Sequence, residues 1–418
     1  MSGPGRPSTH LLDLTRLVSR AGRGAWTGID RVEAAYLTHL LDDPQPLFGL
    51  VRIPSGFVLI DRDGLAALDA RLRGLVPWGR PDLRALRRLR ARPEVQAADA
   101  DLRRLGLGLA PKPDGLRALL AAHLPDGFTW INVGHSNLTD AVFAAVRGAG
   151  GRSLVLVHDT IPLDLPDFQR SGTVESFEKR MRAVAAWADQ VVCVSDAARR
   201  DAERHFTRFG RVPEMQVAHP GIAVAAPDRR AVPADFPWNR DYFVVLGTIE
   251  PRKNHALLLD VWAQFAETLP AGQIPALHIV GARGWSNEAV FARLDRSPLM
   301  GVHVFEQGGL SDAAVAAIVQ GARALLMPSL AEGFGLPPAE ALALGTPVIA
   351  TDLPVYREVL GNNPVYLDGA DMYSWGKEIL GFARGRAREH AAAHPQANRE
   401  AIKLPTWQNH FDLVFKGI

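Results

Sequence analysis

L-A-E-G-F-G-L-P-P-A-E-A-L-A-L-G-T-P-V-I-A-T-D, residues 330–352, is the stretch that decides the fold. It follows the short apolar run 324–329 and predicts a glycine-bearing loop, a helix over 337–344 that starts on two prolines, a glycine stop and a second buried strand. Strand, loop, helix and strand in this order are typical of a doubly wound α/β domain. The loop and the helix each carry one glutamate, Glu332 and Glu340.

The loop predicts a site for an oxygen-rich ligand. Four residues would supply backbone N–H groups at the helix start: Gly333, Phe334, Gly335 and Leu336. We expect Glu340 in the first helical turn, where the helix dipole favours a carboxylate, and Glu332 in the loop facing the same crevice. Two carboxylates without basic neighbours suit the hydroxyls of a sugar or ribose better than phosphates, because an ionised carboxylate only accepts hydrogen bonds.

A second motif, G-T-I-E-P-R-K-N-H at residues 247–255, predicts a phosphate partner. The predicted strand ends at Gly247, and Arg252 and Lys253 lie in the loop before a predicted helix over 255–269. Two cations at the carboxyl end of a strand can neutralise a diphosphate. Together with the two glutamates, they favour a nucleoside diphosphate that carries a sugar.

Apolar runs that end in small or polar residues occur in two series along the chain. The first series comprises 57–61, 128–134, 153–159 and 190–196. The second comprises 243–250, 277–281, 302–305, 324–329 and 347–352. We expect each run to be a buried parallel strand, so that the chain folds into two doubly wound domains joined by a linker near 225–240.

Composition excludes several other classes of protein. The 418 residues contain 47 Lys plus Arg against 45 Asp plus Glu, so the net charge of +2 does not suit general nucleic-acid binding. The single cysteine, Cys193, permits no disulfide. No stretch approaches the roughly 18 apolar residues that a membrane span needs. We expect a cytoplasmic protein, at most peripheral on the inner face of the membrane.

The two motifs together resemble a known family. G-T-I-E-P-R-K-N (247–254) paired with E-G-F-G-L-P-P-A-E (332–340) is similar to the retaining glycosyltransferases of family 4, which have the GT-B fold. G-A-R-G-W (281–285) and P-V-I-A-T-D-L-P-V-Y-R-E-V (347–359) resemble the subset that includes mannosyltransferases of bacterial surface polysaccharide, such as lipopolysaccharide. The resemblance is strong over residues 240–370.

The first half of the chain resembles the family more weakly. T-G-I-D-R-V (27–32) is similar to its glycine loop, although Asp30 stands where many relatives have a second glycine. V-H-D (157–159) resembles its sugar-site histidine segment, and T-W-Q-N-H-F (406–411) resembles its final helix. The match is weakest over 41–125, where acceptor recognition would be built.

The resemblance implies a fold and a domain division. The fold would be GT-B, with two doubly wound Rossmann-like domains that face a deep cleft. Residues 1–232 would form the acceptor-side domain, and 233–403 the domain that binds the nucleotide sugar. Residues 404–418 would form a helix that crosses back onto the first domain.

The resemblance also implies roles for individual residues. Four would be catalytic: His158, Arg252, Lys253 and Glu332. Seven would bind the donor: Gly28, Gly247, Gly333, Phe334, Gly335, Leu336 and Glu340. Arg252 and Lys253 would hold the diphosphate, and Glu340 would bind the ribose hydroxyls. Glu332 and His158 would contact the donor sugar, although a histidine at a strand end can also be bonded to the backbone.

The implied activity is transfer of a hexose with retention of configuration, without metal or cofactor. The first choice of donor is GDP-mannose, and the acceptor would be a lipid-linked or polysaccharide glycan of the cell surface. Two alternatives remain open from the sequence. One is a catalytically silent protein that binds nucleotide sugar within a polysaccharide assembly complex, and the other is a sugar-nucleotide epimerase on the same scaffold.

Four further patterns carry competing interpretations. Residues 61–63 and 99–101 match the D-x-D of metal-dependent glycosyltransferases, but 61–63 fits a turn better. His390 and His394 have metal-ligand spacing but lack the acid of a zinc motif. The arginine-rich segment 71–92 is either a surface that meets anionic lipid or a solvated helix face.

Overall fold

A computed structural model of the chain describes residues 9–22, 26–86, 91–386 and 403–416. In this part of the chain the strands form two separate sheets, one of eight strands and one of six. Each sheet is mainly parallel, with helices between successive strands. The prediction of two doubly wound α/β units is therefore confirmed.

The first sheet mixes parallel and antiparallel pairs. Its strands are β1 (His10–Asp13), β2 (Leu47–Ile53), β3 (Gly56–Asp61), β4 (Gly106–Ala110), β5 (Phe128–Asn132), β6 (Gly151–Val157), β7 (Gln190–Cys193) and β8 (Glu214–Val217). The spatial order is β4-β3-β2-β1-β5-β6-β7-β8. The prediction that 57–61 is a parallel strand is wrong, because β3 runs antiparallel to β2 and β4. Only Pro54 and Ser55 separate β2 from β3, too few residues for the crossover that a parallel pair needs.

Helices cover both faces of this sheet. They are α1 (Thr15–Ser19), α2 (Gly28–Asp42), α3 (Arg62–Leu72), α4 (Leu83–Leu86), α5 (Pro93–Leu105), α6 (Pro113–His123), α7 (Asp140–Gly148), α8 (Ile161–Asp164), α9 (Thr173–Trp187) and α10 (Asp196–Phe209). Neighbouring strand residues enter different hydrophobic clusters: Leu11 and Leu50 pack in one, Leu12 and Val51 in the other. Burial on both faces explains why the strands are continuous apolar runs.

The second sheet is parallel throughout. It contains β9 (Tyr242–Leu246), β10 (Ala276–Val280), β11 (Val304–Gln307), β12 (Leu325–Met327), β13 (Val348–Thr351) and β14 (Val365–Leu367). Its helices are α11 (His255–Thr268), α12 (Glu288–Arg296), α13 (Asp312–Gly321), α14 (Leu336–Ala343), α15 (Pro354–Leu360) and α16 (Met372–Gly381). The order β11-β10-β9-β12-β13-β14 reverses between β9 and β12, and such a switch point opens a crevice at the strand ends. The predicted motif at 247–255 follows β9, and the predicted loop of 330–336 follows β12.

The segments outside the sheets pack against one unit or the other. Phe236, within the predicted linker, is buried and its ring lies 4.5 Å from His278 of β10, so this segment is part of the second unit's core. Helix α17 (Trp407–Lys416) packs on α2 of the first unit, where His410 Nε2 lies 2.8 Å from the hydroxyl of Tyr36. The domain boundaries expected at 232/233 and 403/404 stay predictions.

Direct contacts join the two units across the cleft. Ser195 Oγ, at the start of α10, donates a hydrogen bond to the carbonyl of Gly333 at 2.8 Å. Glu358 of α15 accepts hydrogen bonds from the first two amides of α10 at 2.6 and 3.1 Å, and pairs with His219 at 2.7 Å. Because these contacts join the two units, the cleft between them is closed in this structure.

Candidate active site

Local backbone chemistry places Arg252 and Lys253 at the end of β9. Gly247 has φ of 137°, a conformation that a side chain would strain. Pro251 starts a short 3₁₀ turn, Pro251–Lys253, and Asn254 ends it in the left-handed region at φ 53° before α11 begins. Asparagine tolerates this region better than most residues. The turn directs both cations toward the neighbouring end of β12.

The loop after β12 has the predicted glycine and prolines, with one difference. Gly335 has φ of 95° and precedes α14, which starts at Leu336, one residue earlier than predicted. Glu340 is therefore the fifth residue of the helix, and the prediction that it lies in the first turn is wrong. The residue before Pro337 is therefore helical, against its usual preference. The helix dipole has little influence on a carboxylate at this position.

The end of β9 and the loop after β12 meet in a buried ion-pair cluster. Lys253 Nζ lies 2.5 Å from Glu332 Oε1, and an Arg252 guanidinium nitrogen lies 2.9 Å from Glu332 Oε2. Arg252 also pairs with Glu250 at 2.8 Å. The prediction that both glutamates lack basic neighbours is therefore wrong: Glu332 has two, and Glu340 is paired with Arg31.

The cluster holds its charges in spite of burial. The side chains of Lys253 and Glu332 are each 8% exposed. Burial alone would raise the pKa of Glu332, but Lys253 and Arg252 outweigh it and lower this pKa to about 2. Burial lowers the pKa of Lys253, with Glu332 opposing the effect. Burial also raises the pKa values of Glu250 and Asp159, so these two acids ionise less readily than Glu332.

His158, at the end of β6, lies next to the loop after β12. Its Nε2 lies 2.7 Å from the carbonyl of Val133. A carbonyl can only accept, so Nε2 carries the proton and Nδ1 is left as an acceptor. Burial lowers the pKa of His158 to about 4, which keeps the ring neutral. A side chain at Gly333 would place its Cβ 2.3 Å from the carbonyl oxygen of His158, so the loop after β12 touches this strand end.

Gly28 lies on the first unit's side of the same cleft. It is the first residue of α2, and a Cβ there would lie 3.3 Å from the side chain of Leu336. Asp30, which replaces a family glycine, closes a capping box with Thr27 and pairs with Arg16 at 3.1 Å. Asp30 thus has a structural role, and Gly28 still lies next to α14 of the second unit.

The structure brings several of the predicted site residues together. Arg252 and Lys253 contact Glu332 at the ends of β9 and β12, and the backbone of His158 lies next to Gly333. Gly28 and Glu340 lie on either side of the cleft. Sequence reasoning missed Glu250, Asp159 as a neighbour of Arg252, and Arg31. Arg31 stands inside the quoted motif T-G-I-D-R-V, but nothing in the sequence indicates that it reaches Glu340.

The first unit contains a separate cavity at the carboxyl ends of β1 and β2. Its volume is about 310 Å³, and its lining includes Thr15, Ser19, Arg52 and Asp99. Thr15 Oγ1 accepts a hydrogen bond from Asn137 at 2.9 Å, in the loop that also carries the buried His135. The cavity therefore lies at the same edge of the sheet as His158.

The competing patterns have structural explanations where they are described. Asp61 caps α3, because its Oδ1 accepts a hydrogen bond from the amide of Gly64 at 2.9 Å. Asp101 pairs with Arg71 at 2.9 Å and with Arg104 at 2.7 Å. Within the described ranges, no three potential metal ligands cluster. His390 and His394 lie outside the described residues, as do residues 87–90 of the arginine-rich segment.

That segment is partly ion-paired and partly exposed. Arg73 pairs with Asp69 at 2.7 Å. Residues Leu75, Val76, Arg80, Leu83, Arg84 and Leu86 are exposed and form what we call the 75–86 surface. Among the helices that the structure describes, none is long and apolar enough to cross a membrane.

Comparison with known proteins finds a family match in the second unit and a fold match over the whole chain. Residues 229–377 match the family model of the glycosyl transferases group 1. A crystal structure of Anabaena Alr3699/HepE in complex with UDP superposes with a TM-score of 0.61 at 14% identity, covering 98% of this chain and 99% of that one. The chain therefore has the GT-B fold, as predicted.

Two curated relatives bear out the resemblance to surface-polysaccharide mannosyltransferases. Serotype-specific mannosyltransferase WbdA of Escherichia coli is 29% identical over 287 residues, which is 66% of this chain and 34% of WbdA. O-antigen chain mannosyltransferase B of Escherichia coli is 25% identical over 264 residues, 62% of this chain and 68% of that protein. The chain spans about a third of the length of its WbdA relatives.

Proposed function

We propose that this chain, whose residues 229–377 match the group 1 glycosyl transferases, is a retaining glycosyltransferase. It would move a hexose from a nucleoside diphosphate onto a lipid-linked or polysaccharide acceptor of the cell surface. The observation that carries the proposal is the convergence of Arg252 and Lys253 on Glu332 at the switch point of the second sheet, opposite His158.

Leaving-group stabilisation is the main task that these residues could perform. As the bond between C1 of the sugar and the diphosphate oxygen breaks, negative charge grows on the diphosphate. Arg252 and Lys253 are fixed in a buried site, where preorganised cations stabilise such charge by several kcal/mol. Glu332 orients both cations and, being ionised, would accept hydrogen bonds from the donor sugar's hydroxyls.

The proposed reaction needs no side chain to remove the proton from the acceptor hydroxyl. The departing diphosphate oxygen would take the proton from the acceptor hydroxyl, whose oxygen then bonds to the same face of C1, so configuration is retained. His158 is neutral and its Nδ1 would accept a hydrogen bond from a donor-sugar hydroxyl. In this proposal the two cations do the work of a metal ion, and no cofactor takes part.

Mannose from GDP-mannose is the proposed donor sugar. Both Escherichia coli relatives are named mannosyltransferases, which supports mannose, and O-antigen in one of the names supports a surface glycan as acceptor. The acceptor would lie toward the 310 Å³ cavity of the first unit, since this cavity shares the sheet edge that carries His158.

We also propose that the 75–86 surface attaches the enzyme to the inner face of the membrane. Leu75 and Leu83 are 75% and 81% exposed, and two exposed arginines accompany them. Exposed apolar side chains with cations fit an anionic lipid surface, where the leucines enter the interface and the arginines meet the headgroups.

Donor specificity can be tested before the acceptor is known. The chain is incubated with a panel of sugar nucleotides, with and without EDTA, and released nucleoside diphosphate is measured by mass spectrometry. We expect slow release from GDP-mannose that EDTA does not change. The surface variant Arg323→Gln, which removes an exposed ion pair at the amino-terminal edge of β9, serves as the active control.

Each outcome of the panel separates the alternatives. Release that EDTA abolishes would contradict the metal-free mechanism. Binding without release, persisting when lipid-linked mannosyl acceptors are added, would indicate the silent nucleotide-sugar binder. Conversion of the donor into an isomer without release would indicate an epimerase, and absence of binding to every donor would contradict the assigned site.

A further inference from the structure

Arg31 is a residue of the first unit that reaches the second. It is the fourth residue of α2, close to Gly28. One guanidinium nitrogen donates to Glu340 Oε1 of α14 at 2.7 Å, and the other terminal nitrogen donates to Asp312 Oδ1 of α13 at 2.8 Å. A single side chain therefore ties α2 to two helices across the cleft.

The two ends of this bridge differ in their surroundings. The side chain of Asp312 is 50% exposed, whereas that of Glu340 is 16% exposed. An ion pair with an exposed carboxylate contributes little to stability. An ion pair that is shielded from water holds both side chains in place. The guanidinium is planar, so its two contacts fix the direction of the bond to Glu340. Arg31 uses Oε1 of Glu340, and Oε2 remains to accept a hydroxyl.

Glu340 depends on a nearby cation such as Arg31 to stay ionised, and only the ionised carboxylate acts purely as a hydrogen-bond acceptor. Burial raises the pKa of Glu340 to about 7; Arg31 lowers it and Asp312 raises it. These are the charged groups that act on Glu340 from the helices packed around it in the described structure. A protonated carboxyl donates one hydrogen bond and loses acceptor capacity, so it binds a diol less well than the ionised group.

We propose that Arg31 is a positioning residue that holds the Glu340 carboxylate in place for the donor's ribose hydroxyls when the two units are closed. The inference rests on the proposed function, since it takes Glu340 as the ribose-binding group. It adds that ribose recognition is shared between the domains. Donor binding and closure are then coupled, because the ion pair exists only while the units are in contact, and coupling of this kind is reciprocal.

The test measures recognition of one hydroxyl. Affinities for GDP and for 2′-deoxy-GDP are measured by calorimetry from pH 6 to 9, on the full chain. Their ratio reports how well the site recognises the 2′-hydroxyl. We expect Arg31→Gln to reduce this ratio about tenfold, the effect of one hydrogen bond to a charged group. The pH below which the ratio falls should be near 7 in the native chain and at least about one unit higher in Arg31→Gln.

Two variants separate this inference from the proposed function. Glu340→Gln should abolish the preference for GDP over the deoxy form; a native ratio in this variant would overturn the ribose assignment itself. A lowered ratio in Glu340→Gln together with a native ratio and pH midpoint in Arg31→Gln would overturn the role of Arg31 alone. Arg323→Gln, also a loss of one arginine, should keep the native profile.

Thermal unfolding of each variant shows whether the fold survives. Arg31 is one-third exposed, so we expect Arg31→Gln to fold. If it does not, Arg31→Lys decides the question, because lysine keeps the charge but loses the planar fork. We expect Arg31→Lys to retain the native pH midpoint with a reduced ratio, and a fully native ratio would overturn the positioning role.

Discussion

Lys253 and Glu332 form a buried pair on which both folding and the proposed catalysis depend. Their charged atoms are 2.5 Å apart and their side chains are almost completely buried. Removal of one partner from such a pair leaves a charge without compensation, which costs roughly 3–5 kcal/mol, whereas neutral replacement of both partners is often tolerated. Folding therefore depends on the balance of charge in the cluster. The proposed catalysis depends on which charged side chains the cluster contains.

We predict that Lys253→Met and the double variant Lys253→Met/Glu332→Gln separate these two dependences. The single variant should lose about 3 kcal/mol of unfolding free energy, because Glu332 loses its nearest cation. The double variant should recover part of this loss, since Arg252 keeps Glu250 as a partner. Both should lose donor turnover. Urea unfolding and nucleoside diphosphate release measure the two quantities.

Arg323→Gln is the control for this comparison. Its ion pair with Asp241 is exposed, so the change in unfolding free energy should stay within about 1 kcal/mol and turnover should be native. A double variant as unstable as the single one would contradict the charge-balance argument. Native turnover in Lys253→Met would contradict the assignment of Lys253 to the diphosphate.

Glu332 and Glu340 titrate in different pH ranges. The pKa of Glu332 is lowered from 4.5 to about 2 in the folded chain, so the stability from its ion pairs is complete above pH 4.5 and is lost only as the pH falls toward 2. The pKa of Glu340 is raised to about 7. A change in donor recognition between pH 6 and 8 therefore points to Glu340.

At the scale of elements, the sequence predicts the loops that carry the site better than their surroundings. Glycine marks the loop after β12 because it tolerates the left-handed conformation, proline marks the helix start because its φ is fixed, and the apolar runs mark strands buried on both faces. The helix start was missed by one residue, because leucine before Pro337 departs from the usual preference of that position.

Partners distant in sequence could not be predicted. Glu332 and Arg252 are 80 positions apart, and Arg31 and Glu340 are 309 apart, so their ion pairs depend on how strands are ordered and how the units face each other. The strands β1 (H-L-L-D) and β8 (E-M-Q-V) are short and contain few apolar residues, so neither forms a recognisable apolar run. This is why the first unit was only partly predicted and the neighbours of both glutamates were wrongly predicted.

We predict that Gly333→Ala blocks closure of the cleft. A Cβ at Gly333 would lie 2.3 Å from the carbonyl oxygen of His158, and a backbone atom cannot move away as a flexible side chain can. Because this contact joins the two units, the clash can be relieved by opening the cleft without unfolding either unit. Donor turnover should fall about a hundredfold, the effect of displacing reacting groups by an ångström. Small-angle scattering should show a larger radius of gyration.

Gly272→Ala is the matched control for this substitution. A Cβ at Gly272 meets no atom within 4 Å, so the variant should keep native turnover and a native radius of gyration. The thermal midpoints of both variants should remain near that of the native chain. A Gly333→Ala chain that is closed and active would contradict the contact between this loop and His158.

At the scale of the whole molecule, the 75–86 surface lies beside the cleft. Arg92, just beyond this surface, donates hydrogen bonds to the carbonyls of Gly22 and Ala21 at 2.7 and 3.0 Å, in the loop that leads to α2. Arg73, just before it, lies over the ring of Trp26, with its guanidinium carbon 5.8 Å from the ring centroid. The surface is therefore held next to the segment that precedes Gly28 and α2, where the proposed lipid-carried acceptor would enter.

We predict that the chain binds anionic vesicles through the 75–86 surface. Sedimentation with phosphatidylglycerol vesicles should exceed that with phosphatidylcholine vesicles and should weaken as salt is raised, because the arginines meet charged headgroups. Leu75→Gln/Leu83→Gln should reduce binding more than tenfold, since each leucine gains about 1.5–3 kcal/mol on leaving water. Donor hydrolysis should be native in this variant, because neither leucine contacts the ion-pair cluster.

The control for vesicle binding removes equally exposed apolar side chains elsewhere. Val302 and Tyr373 of the second unit are 52% and 72% exposed, so Val302→Gln/Tyr373→Ser removes comparable apolar surface away from the 75–86 surface. Equal loss of binding in both double variants would mean that the leucines have no special role. Absence of native binding to anionic vesicles would leave these side chains as a solvated face. In that case the acceptor would have to reach the cleft without help from the membrane surface.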